Sequence, residues 1–101
     1  MRRLRRTKIV ATLGPASGNP EMIGKLFEAG ADTFRINMSH TTHDRMRELV
    51  AAIRSVEKKY SRPIGILVDL QGPKLRVGAF ANGPVMLDSG ATFAFDRCRC
   101  A

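Results

Sequence analysis

Ile64-Gly65-Ile66-Leu67-Val68-Asp69 is an uninterrupted apolar run closed by an acid. Such a run predicts a parallel strand covered on both faces, since a half-exposed strand would alternate apolar and polar residues. Upstream, Arg62-Pro63 ends a helix in which Met46, Leu49, Val50, Ile53 and Val56 follow the i, i+3, i+4, i+7 pattern. Arg47, Arg54, Lys58 and Lys59 fall on its watery side. Thr41, with Asp44 three residues on, resembles a capping box opening that helix. Thr33–Asn37 reads as a second strand. Before it, Asn19 as N-cap, Pro20 at the first helical position and Gly30 as the stop frame a helix with Met22, Ile23, Leu26 and Phe27 on one face. Lys8–Leu13 is a first strand, ended by Gly14-Pro15. The order is βαβαβ, which implies right-handed crossovers and a parallel sheet in an α/β fold.

After Gly72-Pro73 the helical periodicity stops. Leu75–Phe80, Val85–Asp88 and Thr92–Phe95 read as short strands of a β-meander, separated by Asn82-Gly83 and Ser89-Gly90 turns. The expected division is residues 1–74 and 75–101, with the boundary near 72–76. Three strands cannot close a barrel, which takes eight strands and about 250 residues. A meander this short cannot easily bury a core of its own. The sequence therefore reads as the opening of a larger protein.

At 101 residues and 44% hydrophobic, the chain has room for one domain at most and is not disordered in composition. No apolar run approaches the ~18 residues of a membrane span. The basic start Met1–Arg6 is followed only by the brief Ile9–Leu13, so no secretory signal is expected and a cytoplasmic location is. Of the net charge of +8, five cations (Arg2, Arg3, Arg5, Arg6, Lys8) lie in the first eight residues, which hold no acid. A nucleic-acid-binding arm and a solvated N-terminus both fit this; the solvated reading is preferred, because no aromatic residues interleave with the arginines. Cys98 and Cys100 are too few for a structural zinc and make no disulfide framework.

Side chains alternate across a strand, so Arg35, Asn37 and Ser39 share one face if the run stays extended, while Phe34, Ile36 and Met38 take the face where helices pack. An unpaired arginine within a parallel sheet is costly. Ligands of α/β folds bind at the carboxyl ends of the strands, where Arg35 and Asp69 would meet an anion and a cation. A salt bridge between Arg35 and Asp69, with Asn37 and Ser39 as caps, explains the same residues structurally, and the residues alone leave both readings open. His40 and His43 read as solvated or capping.

Arg6–Ser17, Phe34–His40 and Asp69–Arg76 resemble, in order and spacing, three motifs of the pyruvate kinase family. Phe34-Arg35-Ile36-Asn37-Met38-Ser39-His40 is close to R-x-N-x-S-H, and Asp69-Leu70-Gln71-Gly72-Pro73-Lys74-Leu75-Arg76 to D-x-x-G-P-x-x-R. The resemblance runs from about residue 5 to Asp96, about the first fifth of a family member. It implies the first three strands and two helices of a (β/α)8 TIM barrel, followed by the start of a small all-β lid domain.

It also implies roles. Arg35 binds the phosphoryl group of phosphoenolpyruvate. Asn37, Met38, Ser39, His40 and Arg76 help hold ADP or ATP. Asn37, Ser39, Asp69 and the Leu70 carbonyl surround a monovalent cation, potassium in much of the family. Leu70, Gln71, Lys74 and Val77 resemble the potassium-independent branch, and the Lys74 ammonium is expected to replace potassium's charge. The family's reaction moves a phosphoryl group from phosphoenolpyruvate to ADP, giving pyruvate and ATP. Its magnesium ligands and remaining catalytic groups lie on later strands, so no catalytic residue is expected within this chain, and the chain alone is expected to be inactive. Family members are commonly homotetramers. Arg97–Ala101 departs from the pattern, which suggests a truncated or frame-shifted reading frame; a genuine short protein and a deliberately cut piece of a longer one are the alternatives. The competing functional class is a non-catalytic remnant or a small basic binding module.

Overall fold

The computed structural model describes residues 3–94; Met1, Arg2, Phe95, the divergent tail and both cysteines lie outside the described residues. Three parallel strands, β1 (Val10–Thr12), β2 (Thr33–Asn37) and β3 (Gly65–Asp69), form one sheet in the order β1-β2-β3. Helices α1 (Pro20–Ala29) and α2 (His43–Tyr60) are the crossovers.

The start and stop signals of α1 act as read. Asn19 Oδ1 accepts a hydrogen bond from Met22 N at 2.7 Å, and Pro20 costs nothing at a position whose N–H has no intrahelical partner. Gly30, at φ 135°, turns the chain out and donates its N–H to the Leu26 and Phe27 carbonyls. The cap of α2 is Thr42 rather than the expected Thr41: Thr42 Oγ1 accepts from Arg45 N at 3.2 Å. Asp44 instead pairs with Arg47 at 3.0 Å.

Both helices lie against one face of the sheet. Ile23 and Phe27 of α1 and Leu49, Ile53 and Val56 of α2 close over Phe34 and Ile36 of β2, all of them buried. Full burial of one such side chain is worth about 1.5–3 kcal/mol, so this small core is what holds the unit together. The opposite face carries Thr12, Arg35, Asn37, Leu67 and Asp69, which register places side by side.

Two expectations about coverage are corrected. β3 is not enclosed on both faces: Leu67 is 49% and Val68 38% exposed. It is an edge strand here, with no strand beyond it among the described residues and no third helix over it. The expected meander also forms no strands between residues 70 and 94. The turns themselves are present, with Gly83 at φ 81° and Gly90 at φ 84°, and Gly83 N and Ala91 N donate back to Phe80 O and Asp88 O. Nearly all of this stretch is exposed, apart from a ring contact between Phe80 and Phe93 at 6.0 Å. Turn residues fix where a chain reverses; strand pairing also needs an apolar face to bury.

The basic arm is solvated only in part, which corrects the preferred sequence reading at two positions: Arg6 and Lys8 are exposed, but Arg3 and Arg5 are not. Arg3 and Arg5 fold back beneath the sheet and pair with Asp32 at 3.2 and 2.9 Å, and Arg62 stands 3.8 Å from the same carboxylate. The Arg3 side chain is 7% exposed and lies over the Phe27 ring at 4.8 Å.

Candidate functional site

β2 delivers Arg35 and Asn37 to the open face two residues apart, and β3 delivers Leu67 and Asp69 opposite them. The Arg35 guanidinium reaches diagonally across the pair and donates to the Asp69 carboxylate. From the other side Thr12 Oγ1 accepts from Arg35 Nη1 at 3.3 Å. Thr12 was not singled out from the sequence; its signal is register alone, since it lies opposite Arg35 in the β1–β2 pairing. Arg35 and Asp69 are thus gathered at the carboxyl end of one face, as the anion reading and the salt-bridge reading both require. Their side chains remain 28% and 48% exposed.

The backbone after β2 closes tightly around the same corner. Asn37 Oδ1 accepts from Ser39 N at 3.1 Å, and Asn37 O from His40 N at 3.2 Å. Met38 N donates to Asp69 O at 3.0 Å, so the pairing of β2 with β3 extends one step past the strand end. Gln71 Nε2 then donates to Met38 O at 2.7 Å and ties the post-β3 segment to this turn. Met38 leans on the core, as its face predicted.

Beside this corner is an open cavity of about 520 Å³, whose wall includes Thr12, Gly14, Pro15, Asn37, His40 and Arg45. Arg45, missed in the sequence, comes from the first turn of α2 and donates to Gly18 O at 3.3 Å while pairing with Glu48 at 2.7 Å. A Cβ at Gly18 would sit 2.4 Å from the Arg45 Nη2, so the glycine leaves room for that approach. His40 is exposed at the cavity rim.

The other expected residues are not drawn in. Leu70 is 74% exposed, and Lys74 and Arg76 are exposed on the stretch beyond β3. The oxygen chemistry of Asn37, Ser39, Asp69 and the Leu70 carbonyl suits a hard monovalent cation. In the structure, however, the positive charge beside Asp69 is that of Arg35, and Lys74 makes no ion pair among the described residues. Among the described residues no group of three His, Cys, Asp or Glu side chains is placed to hold a metal ion. No helix among them is long and apolar enough to cross a membrane.

The family model for the barrel domain of pyruvate kinase matches residues 4–98. The chain belongs to the pyruvate kinase family. It is 62% identical over 96 residues to a pyruvate kinase of Methylorubrum extorquens, covering 95% of this chain and 20% of that protein. A pyruvate kinase of Agrobacterium vitis is 47% identical, over 94% of this chain and 20% of its own length. Pyruvate kinase 2 of Synechocystis is 50% identical, over 85% and 15%. The chain thus spans about a fifth of the length of the pyruvate kinases it matches.

Proposed function

We propose that this chain forms the phosphoenolpyruvate- and cation-binding rim of a cytoplasmic, glycolytic pyruvate kinase, at the amino-terminal start of its (β/α)8 barrel. The observation that supports this reading is the Arg35–Asp69 pair at the carboxyl ends of β2 and β3 on the open face of the sheet. A pair this exposed is worth about 0–1 kcal/mol, so Arg35 can leave Asp69 for a phosphoryl group at little cost. The guanidinium fork matches two phosphoryl oxygens, and the same charge balances the phosphate as it moves.

In the reaction, an ADP oxygen bonds to phosphorus, the bond from phosphorus to the enol oxygen breaks, and enolpyruvate takes up a proton at carbon to become pyruvate. Positioning and charge neutralisation carry such a transfer. Here Arg35 orients the phosphoryl group; Asn37, Met38, Ser39 and His40, with Arg76, steady the nucleotide; Asn37, Ser39, Asp69 and Leu70 supply oxygens around the cation position. Lys74 takes over the charge of potassium. Magnesium, which supplies further neutralisation when bound, is held by other parts of the barrel, and the working enzyme is a homotetramer. The chain by itself binds but does not turn over.

Thermal melts with and without phosphoenolpyruvate test the reading. A rise in Tm with this chain that disappears in Arg35→Gln is expected; a rise unaltered by the substitution, or no rise, overturns the site. Assay of a complete enzyme carrying this segment, with and without potassium, tests Lys74, and strong potassium activation removes that role.

A further inference from the structure

The cluster at the amino ends of the strands lies apart from the Arg35–Asp69 corner, yet it is the most heavily paired group of charges among the described residues. Asp32, in the α1–β2 turn, receives Arg3 and Arg5 at 3.2 and 2.9 Å, and its Oδ2 also accepts from Ile9 N at 2.8 Å. Ile9 O in turn accepts from Asp32 N at 2.9 Å and Thr33 N at 3.2 Å. The arm reaches further still: Arg3 donates to Phe27 O and Arg5 to Gly30 O. These carbonyls belong to the carboxyl end of α1, whose last turn contains no basic residue. A cation is favourable at that end of a helix, and the arm brings two.

β1 needs such help. It is three residues long, lies at a sheet edge, and Ile9 and Val10 are 44% and 53% exposed. Its apolar anchorage is Ala11 and, just beyond the strand, the buried Leu13, so little apolar burial fixes the amino end. At its far end, Thr12 accepts from Arg35 and Leu13 N donates to Arg35 O at 2.9 Å.

We infer that Asp32, Arg3 and Arg5 form an ionic strap that fixes β1 at its amino end and thereby positions Thr12 against Arg35 at its carboxyl end. Asp32, Arg3 and Arg5 are then positioning residues, acting on the substrate-facing arginine through one short strand. Only their relevance to catalysis rests on the proposed function; the coupling itself needs no substrate.

Nitrogen-15 NMR of the whole chain tests it, comparing wild type with Asp32→Asn and with Arg5→Gln. Arg5 is partly exposed, so the second variant removes one arm of the strap while sparing the buried Arg3. Expected in both is about tenfold faster amide exchange at Ile9 and Leu13, with α2 amides such as Ile53 unchanged. The Arg35 Nε resonance is expected to shift, although Arg35 touches neither substituted residue. Faster exchange at Ile9 with Leu13 and Arg35 unmoved overturns the inference. Uniform loss of protection, α2 included, in both variants also overturns it, because the cluster would then stabilise the whole fold rather than β1. Because phosphoenolpyruvate is absent from this experiment, its failure leaves the Arg35 binding test untouched, and the reverse holds too.

Discussion

Arg35 and Asp69 meet on a diagonal: Arg35 stands opposite Leu67 and Asp69 opposite Asn37, yet the guanidinium spans the step and donates to the carboxylate. With side chains 28% and 48% exposed, water competes for both charges. Asp69→Asn is therefore expected to cost the fold about 0–1 kcal/mol in a urea melt, and less in high salt. A loss above about 2 kcal/mol would mark the pair as structural cement instead of a displaceable partner for an anion.

The two threonines before α2 separate cleanly. Thr42→Ala removes the oxygen that accepts from Arg45 N and is expected to cost about 1 kcal/mol. Thr41→Ala is expected to stay within about 0.5 kcal/mol. Chemical denaturation of the two variants checks this, and equal effects would contradict the assignment of the cap.

Acid is expected to weaken the fold through two carboxyls. The Ile9 N–H above all, then the arginines, holds Asp32 below the usual carboxylate range against the opposing effect of burial. The Ile64 N–H, at 2.8 Å, and Arg54 do the same for Glu57. Both groups bind protons more weakly folded than unfolded. Their contribution is in place above the ordinary carboxylate pKa of about 4 and is lost as pH falls through the lowered folded values. Melts of wild type and Glu57→Gln across this range are expected to converge as pH falls; a gap that widens would reverse the sign.

Gly65 opens β3 against Thr33. A Cβ there would come within 2.6 Å of Thr33 Oγ1 and 3.3 Å of its Cβ, and a β-branched neighbour has few rotamers to yield with. Gly65→Ala is expected to cost about 1–3 kcal/mol by thermal or urea melting. An unchanged or higher Tm would show that β3 can shift along the edge.

Local signals in this sequence were reliable where one residue completes the physics. Asn19, Pro20 and Gly30 bound α1, and Thr33–Asn37 alternates as β2 does, with Phe34 and Ile36 buried. Legibility failed where the outcome depends on distant partners. Ile64–Asp69 is apolar enough for a strand enclosed on both sides, but nothing among the described residues encloses it. Asn82-Gly83 and Ser89-Gly90 do turn, without strands to join. At the candidate site, alternation placed Arg35 and Asn37 on one face, whereas Thr12 became visible only with register. Asp32 carries no local signal, because its partners Arg3, Arg5 and Arg62 are far from it in sequence and converge only after the sheet forms.

All three strands point the same way, and among the described residues no strand pairs with the outer side of β3. Recruitment at that margin is vectorial: an incoming segment that keeps the common heading sets its last residues beside Asp69, and a reversed one sets its first residues there. The heading of any strand paired there would thus decide which of its ends borders the Arg35–Asp69 corner.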